Sequence, residues 1–161
     1  MVVLKELGQA DVLQLQMLLE KCSEYLVYQD GKPVEQTAAL ELLNDRPEEV
    51  DISNKVVFGI YNNKDNQIIG VIDLITGYIN SGTISLGLML VEPQKRSKGI
   101  GRDAYKKLAK WAFDKQFSKI RLGVLSGNGK GLKFWENMGF NKTGDIKLYL
   151  TKEFFVLEKS L

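Results

Sequence analysis

Three stretches follow one another between residues 55 and 91: KVVFGIY (55–61), QIIGVIDLIT (67–76) and TISLGLMLV (83–91). Each is rich in β-branched residues, and only short polar links, NNKDN and the turn around INSG, separate them. Links this short join antiparallel neighbours, so the spacing predicts a three-strand meander. Ahead of it, VVLKEL (2–7) has strand character. DVLQLQMLLEKCSEYLVY (11–28) carries apolar residues at helical spacing behind a capping Asp11, and PVEQTAALELLNDRP (33–47) reads as a second helix, opened by Pro33 and stopped before Pro47. After it, apolar Ile100, Ala104, Leu108, Trp111 and Ala112 mark one face of a helix from Gly99 to about Phe117. KIRLGVL (119–125) reads as a strand, GKGLKFWENMGF (129–140) as a short helix, and the segments around 145–150 and 154–158 as closing strands. This order predicts an α+β fold with a sheet split around its middle.

A chain of 161 residues, 44% hydrophobic and 26% charged, is expected to form one domain over 1–161. No apolar run reaches the roughly 18 residues of a membrane span, and MVVLKELGQADV lacks the layout of a signal peptide. The expectation is a cytoplasmic protein with no membrane partner, as a monomer or a homodimer. A single cysteine, Cys22, on the apolar face of its helix and so expected in the core, and no histidine argue against a metal site and against His-based catalysis. The net charge of +2 hides a polarity: residues 1–90 hold 6 Lys/Arg against 13 Asp/Glu, residues 91–161 hold 16 against 7. Such a split suits one half to an anion and the other to a cation. No nucleic-acid motif or aromatic platform accompanies the basic half, so no nucleic-acid partner is expected.

QKRSKGIGRDAY (94–105) sets two glycines in a basic turn that feeds a helix. Backbone N–H groups crowd around an anion at such a helix end, and glycine lets the anion approach. Gly99-Ile100-Gly101-Arg102-Asp103-Ala104 satisfies the dinucleotide fingerprint, but VEPQKRSK intervenes between strand and glycines, and no acidic residue stands about twenty positions on. A nucleoside-triphosphate loop fails because Lys130 is followed by Gly131 rather than Ser or Thr.

The whole stretch LGLMLVEPQKRSKGIGRDAYKKLAKWAF closely resembles the acetyl-CoA signature of the GCN5-related N-acetyltransferase (GNAT) superfamily, whose core pattern is Q/R-x-x-G-x-G/A. LGVLSGNGKGLKFWENMGF resembles the later motif of the same family, and the element order follows it over essentially the full chain. The resemblance implies a mixed, mostly antiparallel sheet, splayed between the strands of Leu90 and Leu122 and flanked by helices, with acetyl-CoA as co-substrate. It further implies that the backbone from Arg96 through Ser97, Lys98, Gly99 and Ile100 to Gly101 holds the pyrophosphate, with charge from Arg96, Lys98 and Arg102. Met89, Leu90 and Val91 would pair with the pantetheine arm, and Asn128 would reach the same arm.

The implied reaction is direct attack of a primary amine on the thioester within a ternary complex. The family's usual thiolate acid, a Tyr, is here Trp135, which either lines the cofactor's sulfur end or is a core aromatic. A non-catalytic CoA-binding sensor or interaction module is therefore the competing reading. Candidate bases are Glu92, after the strand of the cofactor motif, and Asp73, a carboxylate inside the apolar VIDLI, either paired or facing the cleft. Alternation puts Val71, Asp73 and Ile75 on one face. The acceptor side is expected from the first two helices, where Glu24, Tyr25, Tyr28, Asp30 and Glu35 would surround an ammonium, or else be solvated and core residues. That set suits a small cationic metabolite, amino acid, polyamine or aminoglycoside, with a peptide amine ranked behind.

Overall fold

In the computed structural model, which describes residues 1–161, the meander forms as β2 (Lys55–Asn62), β3 (Ile68–Thr76) and β4 (Thr83–Val91), each antiparallel to the next. β1 (Val2–Glu6) adds antiparallel to β2. After β4 the chain crosses over through α4 (Ile100–Asp114), and a crossover of that kind lets β5 (Lys119–Leu125) lie parallel to β4. α5 (Gly129–Asn137) leads to the hairpin of β6 (Asn141–Tyr149) and β7 (Lys152–Ser160), with β7 paired to β5. The seven-stranded sheet has the order β1-β2-β3-β4-β5-β7-β6 and does not close on itself.

Alternation sorts the two faces. Val56, Phe58 and Ile60 of β2 turn to one side, where α4 and α5 bury Leu108, Tyr105 and Trp135 against the sheet. Val57 and Tyr61 turn to the other, where Leu15, Leu18 and Leu19 of α1 (Val12–Lys21), Leu26 of α2 (Ser23–Asp30) and Ala39 of α3 (Ala38–Asn44) close a second core with Val71, Leu88 and Leu90. No helix is long and apolar enough to cross a membrane.

Two helices depart from the sequence reading. The segment 11–28 breaks at Cys22 (φ −95°, ψ 15°) into α1 and α2, although its apolar spacing runs on. The second helix starts at Ala38 rather than near Pro33, because its first turn is fixed from a distance: Gln16 of α1 accepts from the Ala39 N–H at 2.9 Å and donates to Glu35 O at 2.8 Å. The closing strands are also longer than 145–150 and 154–158.

Two irregularities in β4 prepare the site. The strand pairs with β5 only over Thr83–Leu86 against Lys119–Leu122, and beyond that the two part. Its register with β3 jumps, Asp73 opposing Leu88 and Leu74 opposing Leu86, so that Gly87 is an extra, bulged residue. A Cβ on Gly87 would lie 2.9 Å from Asp73 Oδ2. Gly87→Ala is therefore expected to displace that carboxylate and lower turnover several-fold while shifting the melting temperature by only a few degrees, a contrast that thermal melts and initial rates read together.

Candidate active site

The basic loop is built by backbone geometry. A short 3₁₀ turn (Pro93–Lys95) follows β4, then Ser97 (φ +60°) and Gly99 (φ +78°) take left-handed conformations on either side of Lys98. Gly99 is suited to that conformation, and nothing lies within 4 Å of where its Cβ would be. α4 starts at Ile100, so the N–H groups of Ile100, Gly101 and Arg102 precede any helical acceptor and are free to face an anion. The one acid in that first turn, Asp103, is drawn off to β1, where it accepts from the Val2 N–H at 3.0 Å and lies 3.6 Å from the chain's amino terminus. Lys98 and Arg102 are exposed, and Arg96 folds back to donate from Nε to Val91 O at 2.8 Å.

From this loop the open edge of β4 (Gly87–Val91) runs back toward the meander, with Leu90 buried and Met89 and Val91 half-buried. Asn128, at the tip of β5, caps α5 by accepting from the Gly131 N–H at 2.9 Å. Its side chain also meets the Tyr25 hydroxyl, which donates to Gln29 Oε1 at 3.1 Å; burial pushes the Tyr25 phenol up. Tyr28 reaches the same tip, close enough that a Cβ on Gly127 would stand 2.7 Å from its hydroxyl. Lys152 of the β7 start lies 4.5 Å from the centre of the Tyr28 ring and donates to the Tyr28 carbonyl. Tyr25 and Tyr28 thus join Asn128 across the cleft.

Of the acids of that region only Asp30 lies near them, its charge helping to raise the Tyr25 phenol. Glu24 is exposed, Glu35 is exposed 3.7 Å from Lys32, and Asp30 accepts from Gln29 Nε2 at 3.3 Å. Asp30 and Glu35 share a small pocket of about 240 Å³ whose far wall holds Asp73. Trp135 is 8% exposed and stands edge-on to Phe134, Phe140 and Tyr105 with ring centres 4.9, 5.1 and 5.7 Å away. Burial raises the Tyr105 hydroxyl to about 12.

The two candidate bases lie apart. Glu92 is buried beside Cys22 and α1, 3.7 Å from Lys21 Nζ. Asp73 opposes Leu88, four residues back along β4, which at about 3.3 Å per residue is roughly 13 Å away. Asp73 faces an open cavity of about 930 Å³ that starts where β4 and β5 part and includes Gly87, Leu122 and Gly123. There it forms an ion pair with Lys55, Nζ to Oδ1 2.5 Å, the lysine side chain 3% and the aspartate 14% exposed. Burial pushes the Asp73 carboxyl up, against the pull of the Lys55 ammonium. Lys55, Gly87 and Arg121 also line this cavity, and sequence reasoning did not name them. The one available signal was that KVVFGIY and KIRLGVL each carry cations on the face that alternation assigns to Asp73. No cluster of His, Cys, Asp and Glu side chains gathers as a metal ion would require.

Three comparisons bear on this arrangement. A family model described as acetyltransferase (GNAT) family matches residues 15–140. No curated protein sequence matches the chain. Among solved structures, spermidine N-acetyltransferase from Vibrio cholerae, in complex with CoA and spermine, superposes with a TM-score of 0.79 at 18% identity, over 99% of this chain and 95% of that one. An acetyltransferase from Thermus thermophilus gives 0.77 at 18% identity, over 99% and 97%. The PaiA N-acetyltransferase from Thermoplasma acidophilum, in complex with coenzyme A, gives 0.72 at 18% identity, over 100% and 99%. At such identities the likeness is one of fold.

Proposed function

Because the chain belongs to the GNAT acetyltransferase family, we propose that it moves an acetyl group from acetyl-CoA to the primary amine of a small molecule. The observation that carries this reading is the parting of β4 and β5, which leaves an unpaired strand edge between an anion-binding loop and a charged cavity. Acetyl-CoA supplies the activated thioester. The chain's own groups hold the reactants: the amides from Ser97 to Gly101, with Lys98 and Arg102, bind the diphosphate, and the open edge at Met89–Val91 with the Asn128 amide orients the pantetheine arm. The Arg96 N–H, expected among those amides, instead donates to Pro93 O at 3.3 Å. Tyr25 and Tyr28 close the cleft from above and exclude water.

Asp73 takes the proton from the ammonium, which frees the nitrogen lone pair for attack. Its seat in the cavity beside the strand opening supports it over Glu92, which is turned to Lys21. As the N–C bond forms and the C–S bond breaks, the nitrogen's second proton passes to the departing thiolate, whose parent thiol has a pKa of about 8.5, so no separate acid is obligatory and the indole at 135 does not forbid turnover. Trp135→Phe is expected to retain turnover within a few-fold. Trp135→Ala is expected to cost about 3–5 kcal/mol of stability by emptying an aromatic cluster, read from denaturant midpoints. A fall of orders of magnitude in folded Trp135→Phe would make the indole N–H a participant.

The packing of Trp135 among aromatic rings is the observation that favours the second reading, a CoA-binding sensor. Thiol release from acetyl-CoA, measured against a panel of amines with an amine-free blank, separates the two. Amine-dependent release supports transfer; tight CoA binding with no release from any amine supports the sensor.

A further inference from the structure

Asp73 borders two pockets: the small one of about 240 Å³ holds the acids Asp30, Glu35, Glu41 and Asp45 against Lys32 and Lys55, whereas the cavity of about 930 Å³ is not acidic. Four cations line it, Arg46, Lys55, Arg121 and Lys147, against three acids, Asp45, Asp73 and Asp145. With Glu158, which pairs Arg121 from outside the lining, the charges there balance, so an acceptor that brings only positive charge gains no net attraction from this wall. Asp73 offers one carboxylate to an ammonium, while an anionic group on the same molecule would meet a cation on the wall opposite.

Arg121 is the cation so placed. Its side chain is 25% exposed, and it lies on β5 opposite Ser85, two residues before the bulged Gly87. Nη1 is satisfied by Glu158 Oε2 at 2.8 Å, but Glu158 is shared with Lys119 at 3.4 Å, so two cations divide one carboxylate. Nη2 faces only Asp145, 3.7 Å away, beyond hydrogen-bond distance. Asp145 is 70% exposed, in the stretch of β6 that loops out of register between Lys142 and Ile146. The guanidinium therefore keeps an unfilled donor edge on the cavity wall, and a carboxylate is the group whose geometry fills such an edge. Arg121 and Asp73 stand on strands two apart, about 10 Å across the sheet, and are also offset along it, since Arg121 opposes Ser85 and Asp73 opposes Leu88, with Gly87 between them. Their side chains shorten that gap to the length of a small molecule.

We infer that the acceptor is a primary amine that also carries a carboxylate, an amino acid in the broad sense, with its ammonium at Asp73 and its carboxylate on the Arg121 fork. The inference rests on the acetyl-transfer reading above. Its test compares kcat/KM for pairs that differ only in the carboxylate: lysine with cadaverine, phenylalanine with phenethylamine, glycine with methylamine. The carboxylate-bearing member is expected to win by about tenfold or more in every pair that turns over, mainly through KM. Arg121→Gln should collapse that preference toward one. Should that variant fail to fold after losing the Glu158 pair, Asp145→Asn, at an exposed position, removes the competing acid and should raise the preference about threefold. Turnover of plain amines as well as their carboxylate partners, or a preference that neither variant moves, overturns the inference and leaves acetyl transfer standing. Silence with every amine overturns both.

Discussion

Replacing Gly101 with leucine is expected to raise the dissociation constant for CoA at least about a hundredfold, equivalent to about 2.7 kcal/mol, while the fold survives. The amides at the start of α4 have no helical acceptor and are offered to the diphosphate, and each charge-assisted hydrogen bond lost costs about 1.5–3 kcal/mol, so losing two accounts for the effect. The fold tolerates the change because a Cβ at 101 meets the Phe134 ring at 3.4 Å and the Met89 methyl at 3.8 Å, ordinary packing distances. The rest of the leucine has to lie over the loop amides or press on that ring. Calorimetric titration with CoA beside a thermal melt reads both quantities. Undiminished affinity in a folded variant would remove the loop from the binding site.

Asp73→Asn is expected to slow acetyl transfer by about 10²–10⁴ and to move what remains to high pH. Burial holds the Asp73 carboxyl above its ordinary value, with Lys55 opposing. Below that raised pKa the group is protonated and cannot accept a proton; above it the carboxylate can, so wild-type kcat rises with pH through this value. The asparagine variant loses that rise and depends on the fraction of amine already deprotonated in solution, which for a pKa of about 10.4 grows about tenfold per pH unit. The substitution also leaves the ammonium of Lys55, 3% exposed, without its partner, at a cost of about 3–5 kcal/mol. The double variant Lys55→Met, Asp73→Leu separates chemistry from folding. It removes both charges, should restore stability, and should remain as slow as Asp73→Asn. Recovery of the rate together with stability would show that Asp73 acts on folding alone.

The meander and the glycine turn were legible because their signals are local: β-branched runs between short turns, and glycines that begin an amphipathic helix. The break at Cys22 was not, since apolar spacing continues through it and the residue at the break is itself fully buried in the core. The late start of α3 rests on Gln16, more than twenty residues upstream. β6 gave no alternation to read because all nine of its residues are exposed on an outer strand. In the site, Asp73 stood out as a charge in an apolar strand, but Lys55 begins its strand and reads as a solvated end. Only the β2–β3 register brings its buried ammonium to Asp73. Arg121 is similar, because its value lies in what Glu158 and Asp145, on two later strands, leave unfilled.

The most direct test of acetyl transfer is to incubate the protein with isotope-labelled acetyl-CoA and a mixture of amino acid and plain amine acceptors, then recover the amines for mass spectrometry. The predicted result is labelled N-acetyl product in equal amount to the free CoA released, dependent on protein and reduced about a hundredfold in Gly101→Leu at acetyl-CoA concentrations far below saturation. Release of CoA with the label found only as acetate, or no labelled amine from any acceptor while CoA still binds, would contradict it.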